Sequence, residues 1–230
     1  MNAKKVAVCA MSVALLIALQ FTLSMVPGVE LVTVLLLCFC YTFGIAMGVI
    51  SATAFSLLRC ILFGFNISVI VLYLVYYNLL AVLFGALGKK TIPSWLSFII
   101  LSISAIASAY FAVKGLPISI MYQKSITIIL WAIFSMSLVL LIVYAALLFK
   151  YKGNVGREIA SVTAIAAVCT MCFSLLDDVI TPLIYGYTLE AAKVYFLNSL
   201  TFMIPQILCT LISVALLFRP LVTVFKRVIV

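Results

Sequence analysis

Histidine is absent from this chain of 230 residues, and only five residues are acidic. Charged residues make up 8% of the sequence, whereas hydrophobic residues make up 68%. This ratio excludes a soluble domain, because such a domain must cover its surface with polar groups. Long apolar stretches separated by short polar breaks predict an all-α integral membrane protein without a sizeable soluble part.

The chain also lacks the motifs of catalysis. No P-loop, zinc-protease or nucleophile-elbow pattern occurs, and no histidine base is available. Asp177 and Asp178 form an acidic pair, but adjacent helical residues point about 100° apart and do not easily share one water molecule. We therefore expect no enzymatic activity, no catalytic residues and no cofactor, and any ATP-driven work must belong to another chain.

Seven cysteines raise the question of a metal or redox site. All seven fall within apolar stretches, including the C-x-x-C pair of Cys169 and Cys172. A zinc site needs a second pair of ligands, which a chain without histidine does not offer here. We interpret these cysteines as small apolar residues and expect no metal site.

Charges and turn residues divide the chain into eight predicted membrane-spanning helices. The uncharged stretch between Glu30 and Arg59 is too long for one span, since about 28 residues at 1.5 Å each exceed a hydrocarbon core of about 30 Å. Gly44 and Gly48 lie midway and predict a tight hairpin there. The predicted helices are 4–25, 31–45, 47–64, 67–88, 94–113, 125–149, 157–176 and 197–218.

The distribution of positive charge supports this count. With both termini in the cytoplasm, ten of the fourteen basic residues face inward, as the positive-inside rule requires. Merging the second and third spans would move Lys89 and Lys90 outside. The net charge of +9 thus reflects membrane topology rather than binding to nucleic acid.

Several segments of this chain follow one another in a distinctive order. They are a first helix with small residues on one face, the segment PGVELVT from Pro27 to Thr33, a hairpin broken by glycine, and a tyrosine-rich fourth span. The C-terminal run from Ile204 to Leu221 completes the pattern. Together these segments resemble the substrate-binding S component of an energy-coupling factor (ECF) transporter, and the resemblance covers 3–90 and 157–222.

This resemblance implies a substrate-capture subunit in a prokaryotic plasma membrane, surrounded by lipid, that takes up a vitamin or related micronutrient. Its partners would be a transmembrane coupling (T) subunit and two ATPase subunits. In that family the small-residue face of the first helix packs on the coupling subunit, and the matching positions here are Ala10, Ala14 and Ala18. S components commonly have six spans, so 94–149 is interpreted as an inserted helical hairpin.

Polar and aromatic residues predict a substrate pocket in the outer half of the membrane. Tyrosine rings can stack on a planar ligand, while a few polar groups fix its orientation in an apolar cavity. Relatives with a similar C-terminal run often carry an acidic residue and a histidine where Gln206 and Cys209 stand here, which leaves the substrate open. Glu30 and Arg59 have an equally plausible role as a mutual pair that fixes the loop. The predicted lining is Glu30, Arg59, Asn66, Tyr73, Tyr77, Asp177 and Gln206.

Two other classes of protein compete with this interpretation. A stand-alone secondary transporter of a small organic solute usually has internal repeats and ionisable residues deep in broken helices. A structural or assembly protein of the membrane would account for the composition, but not for the polar cluster. Binding of a micronutrient by the purified subunit discriminates among the three.

Overall fold

The computed structural model describes residues 3–26, 29, 31–89, 94–114, 123–150 and 154–229. Over these ranges all regular structure is α-helical. Eight α-helices lie within these ranges in the order of the predicted segments, whereas eight membrane crossings stay a prediction. The helices are α1 (Ala3–Leu23), α2 (Val32–Phe43), α3 (Ile45–Phe63), α4 (Ile67–Leu87), α5 (Ser94–Lys114), α6 (Gln123–Lys150), α7 (Asn154–Tyr185) and α8 (Leu189–Ile229).

Six helices within the described ranges are long and apolar enough to cross a membrane. Large apolar side chains such as Ile61 and Leu183 are exposed, whereas hydroxyl groups such as those of Ser51 and Ser161 are fully buried. This distribution is typical of a bundle surrounded by lipid, where apolar residues face outward and small polar residues lie between helices. The chain is a multi-pass helical membrane protein.

Helix α2 differs from the other helices of the bundle in length and burial. Its 12 residues extend about 18 Å, less than the roughly 30 Å of a hydrocarbon core. Nine consecutive residues, from Val32 to Cys40, are buried. Helix α2 contacts α1, α3, α4 and α8, and is therefore the central element around which they pack.

A sharp turn at Gly44 separates α2 from α3. Gly44 has a φ of 84°, a backbone conformation that favours glycine. A Cβ atom on Gly48 would lie 2.8 Å from the Sγ atom of Cys40, so the two helices approach closely on either side of the turn. The hairpin expected from Gly44 and Gly48 is present, with the turn at Gly44 and the close approach at Gly48.

The C-terminal end of α4 packs directly on this turn. A Cβ atom on Gly85 would lie 2.6 Å from the backbone nitrogen of Ile45, and one on Gly88 would overlap the carbonyl oxygen of Tyr41. These glycines permit a backbone approach that no larger residue allows. The contact fixes α4 against both helices of the hairpin.

The chain divides into two compact units. The first comprises Met1–Thr91 and Cys169–Val230, and the second comprises Ile92–Val168. In the second unit α5 packs along α6, and Ser104 and Ser137 share a hydrogen bond of 2.9 Å between their hydroxyl groups. Tyr144 and Ser161 share another of 3.1 Å. Hydroxyl pairs of this kind link membrane helices that apolar contact alone holds weakly.

Helices α7 and α8 extend well beyond their predicted bounds of 157–176 and 197–218. Helix α7 continues through Asp177 and Asp178 to Tyr185, and α8 begins at Leu189. The prediction ended the first of these helices at the acidic pair, because carboxylates are costly inside an apolar helix. Both carboxylates instead accept hydrogen bonds from neighbouring hydroxyl groups, which allows the helix to continue.

Candidate functional site

A polar seam joins α7 to α8 within the first unit. Thr170 and Thr210 share a hydrogen bond of 3.0 Å, and the hydroxyl of Ser174 donates to Oε1 of Gln206 over 3.2 Å. Residue numbers rise along α7 as they fall along α8, so the two helices run antiparallel. Since hydroxyl and amide groups in a bundle interior must find partners, the seam specifies how these helices pair.

The seam continues into the acidic pair. Asp177 accepts hydrogen bonds from the hydroxyls of Thr181, over 2.7 Å, and Tyr195, over 2.8 Å. Asp178 accepts one from Ser199 over 2.7 Å. All three donors are neutral, and neither aspartate forms an ion pair with any residue that the structure describes.

A cleft of about 450 Å³ opens along this seam, and we call it the α7–α8 cleft. Asn198 and Phe202 are exposed, so the cleft reaches the surface of the unit, while Met203 closes its inner wall. The lining combines apolar side chains with a few polar groups, as in many small-molecule sites. Its residues are Phe173, Ser174, Asp177, Tyr195, Asn198, Ser199, Phe202, Met203 and Gln206.

Proline at position 182 removes one helical hydrogen bond beside the acidic pair. In a regular helix the N–H of residue 182 would bond to the carbonyl oxygen of Asp178, but proline has no N–H. The Oδ1 atom of Asp178 is also buried without a hydrogen-bond partner among the described residues. Within the described part of the chain, the carboxyl of Asp178 therefore has one oxygen that accepts a hydrogen bond and one that does not.

An aromatic cluster lies next to the cleft and shares Phe173 with it. The ring of Tyr73 lies 5.8 Å from that of Phe173, and the ring of Tyr77 lies 5.0 Å from that of Tyr73. Tyr77 is fully buried, and neither tyrosine lines the cleft. These two predicted site residues therefore support one cleft wall through Phe173.

Arg59 lies on the far side of this cluster. Its guanidinium carbon is 4.5 Å from the centre of the Tyr73 ring and 5.6 Å from that of Phe63. Cation–π contacts of this kind partly replace the water that an arginine loses in an apolar environment. Glu30, its suggested partner, lies outside the described residues, as do Pro27 and Gly28.

Asn66 occupies a separate position at the start of α4. Its side chain caps the helix by accepting from the N–H of Ser68 over 3.2 Å. The same oxygen accepts from the hydroxyl of Tyr185 over 2.6 Å. The structure thus brings Asp177 and Gln206 together at the cleft, connects Tyr73, Tyr77 and Arg59 to it through Phe173, and gives Asn66 a capping role.

Seven residues of the cleft were missed as site residues, namely Phe173, Ser174, Tyr195, Asn198, Ser199, Phe202 and Met203. Tyr195 lies before the predicted start of the last span at 197, and Ser199 lies just inside that span. Their signal is the spacing of polar side chains on one face of α8, from Tyr195 through Ser199 to Gln206. That spacing can be read only when α8 is recognised as one long helix.

A second cavity, the groove between α1 and α3, has an apolar lining. It measures about 470 Å³ and includes Ala10 and Ala14, while Ala18 lies outside its lining. All three alanines are exposed. Small side chains on one side and Ile50, Ala54 and Leu58 on the other leave room for a helix of a partner protein to approach closely.

Metal ligation has little support in the described part of the chain, where no group of three or more cysteine or acidic side chains lies together. The seven cysteines form no disulfide. Comparison of the sequence and structure with protein-family models, curated proteins and solved structures gives no match.

Proposed function

We propose that this protein is the substrate-capture S component of an ECF-type importer for a vitamin or related micronutrient. The observation that carries the proposal is the α7–α8 cleft, whose size and mixed lining suit a small organic molecule. The resemblance of 3–90 and 157–222 to S components supplies the class of protein. Transport would be driven by ATP hydrolysis in partner subunits.

The groove between α1 and α3 supports the part of the proposal that concerns the partner subunits. A capture subunit without a nucleotide site needs a surface on which its energy-coupling partner docks. The exposed faces of Ala10 and Ala14 offer one, because small residues allow two membrane helices to approach closely. We assign this groove to the coupling subunit.

The proposed topology has eight membrane crossings with both termini in the cytoplasm. It keeps most basic residues on the cytoplasmic side. In this arrangement α2 and α3 are two consecutive crossings joined by the turn at Gly44. Helices α5 and α6 form the inserted hairpin. The predicted turn of that hairpin, between Lys114 and Lys124, lies largely outside the described residues.

The experiment that tests the function has two parts. The protein purified alone should retain a small organic compound, which mass spectrometry of the released material would identify. Uptake of that compound into proteoliposomes should require a coupling subunit and two ATPases, together with ATP. Retention of no compound, or uptake by the protein alone, would contradict the proposal.

A secondary transporter is the second candidate, and the acidic pair favours it. Asp177 and Asp178 lie inside α7 rather than at its end, and ionisable residues inside membrane helices often mark ion or proton pathways. Such a transporter would accumulate its solute in proteoliposomes that contain this chain alone, driven by a proton or sodium gradient. An S component would not accumulate its solute under these conditions.

A further inference from the structure

We infer that the α7–α8 cleft binds an organic cation, with Asp177 as its counter-ion. The inference rests on the proposed function, which it deepens by assigning a charge to the substrate. It begins from a charge imbalance in the cleft. Asp177 lines the cleft, and no lysine or arginine is found in its described lining.

The hydrogen bonds around the acidic pair do not remove this imbalance. Thr181, Tyr195 and Ser199 stabilise the carboxylates but contribute no positive charge. The basic residue nearest along α8, Lys193, is exposed and lies outside the lining. A carboxylate held in an apolar bundle is costly unless an opposite charge accompanies it, and a cationic ligand would supply that charge.

Asp178 provides a second and independent observation. The residue is 7% exposed, and its Oδ2 atom accepts from Ser199, which lines the cleft. Its Oδ1 atom is buried and has no partner among the described residues. The proline at position 182 also withholds the usual helical hydrogen bond from the Asp178 carbonyl. The buried Oδ1 atom belongs to the carboxyl group that Ser199 contacts at the cleft, so it is a further hydrogen-bond acceptor beside the lining.

The aromatic lining indicates that the cation is organic. Phe173, Tyr195 and Phe202 contribute rings to the cleft, and ring faces attract cations that carry little hydration, such as substituted ammonium groups. The volume of about 450 Å³ also far exceeds that of a bare metal ion. Asn198 and Gln206 place amide groups in the wall, which would orient polar groups on the body of the ligand.

The test compares three probes that share one benzyl ring and differ in charge. They are benzyltrimethylammonium, phenylmethanesulfonate and benzyl methyl sulfone, titrated by calorimetry into the purified full-length protein and followed by thermal unfolding. We expect the cation to bind and to raise the melting temperature, and the anion and the neutral sulfone to do neither. Equal binding of the anion or the sulfone, or no binding of the cation, would overturn the inference.

Substitution of the counter-ion makes the test specific to the cleft. Asp177→Asn keeps the shape of the side chain and should weaken binding of benzyltrimethylammonium at least about tenfold, because it removes a partly buried charge. Glu190→Gln makes the same change at an exposed carboxylate in the first turn of α8 and should leave binding unchanged. Equal effects of the two variants would show attraction by overall charge, and stabilisation by sodium ions alone would indicate an inorganic site. Either result would contradict the inference.

Failure of this inference is distinguishable from failure of the proposed function. A neutral or anionic compound that co-purifies with the protein and is taken up with ATP would leave the function intact and refute the cationic substrate. Binding of the cationic probe together with gradient-driven uptake by the protein alone would support the cationic substrate and refute the proposed function.

Discussion

At the scale of single residues, the structure shows which polar groups an apolar bundle can hold. Asp177 has hydroxyl donors on two sides, whereas Asp178 has one oxygen satisfied and one without a described partner. The sequence indicated that the pair was unusual, but it did not separate the two roles. That distinction depends on Tyr195 and Ser199, which are 17 or more positions away along the chain.

Gln206 gives a direct prediction for ligand binding. Its amide lines the cleft and accepts from Ser174, so truncation removes both an orienting group and part of the wall. We expect Gln206→Ala to weaken binding of the co-purifying compound about tenfold, which corresponds to the loss of one or two hydrogen bonds. Gln20→Ala, the same truncation on α1, should leave the affinity unchanged. Equal affinities of wild type and Gln206→Ala in calorimetry would remove this residue from the site.

Gly88 gives a prediction for stability. An added methyl group would overlap the carbonyl oxygen of Tyr41, which belongs to the backbone of α2 and cannot rotate away. We expect Gly88→Ala to lower the free energy of unfolding by about 1–3 kcal/mol, as overpacking usually does. Ala86→Ser also adds one heavy atom, but at an exposed position two residues away, and should change stability little. Thermal unfolding in detergent measures both, and a Gly88→Ala variant as stable as wild type would contradict the close contact.

At the scale of helices, the sequence predicted the order of the helical segments but not the lengths of the last two. Apolar periodicity and turn residues are local signals, and they found the turn at Gly44. The continuation of α7 past Asp177 depends on hydroxyl groups of α8, which is tertiary information. Local patterns therefore place α1 to α6 well, and they end α7 too early at carboxylates that are satisfied from another helix.

The contact between α7 and α8 gives a prediction at this scale. Tyr195→Phe keeps the ring but removes the hydroxyl that donates to Asp177, which leaves a partly buried carboxylate with one donor fewer. We expect a loss of about 1–3 kcal/mol in stability and weaker ligand binding. Tyr187→Phe removes a hydroxyl from an exposed ring next to α8 and serves as the matched control. If both variants unfold at the same temperature, the bond from Tyr195 does not hold the helices together.

At the scale of the whole molecule, two cavities in the described part of the first unit suit two different tasks. The α7–α8 cleft is lined by one carboxylate, two side-chain amides and several rings, whereas the groove between α1 and α3 is lined by apolar and small side chains. In the proposed function, the cleft with its few polar groups would bind the solute, and the apolar groove would receive a helix of the partner subunit. The sequence indicated both features from Asp177, Gln206 and the alanines of α1. The cleft wall itself was not predictable, because it depends on the pairing of two helices.

Ala14 separates the two tasks experimentally. It is exposed in the groove, where a large ring would prevent close approach of a partner helix. We expect Ala14→Trp to abolish ATP-driven uptake by the assembled transporter while the affinity of the isolated subunit for its ligand stays unchanged. Leu15→Trp places the same ring at the next exposed position, outside the groove lining, and should retain uptake. Parallel loss of binding and uptake in Ala14→Trp would mean that this face supports the fold. Unimpaired uptake would mean that the coupling subunit docks elsewhere.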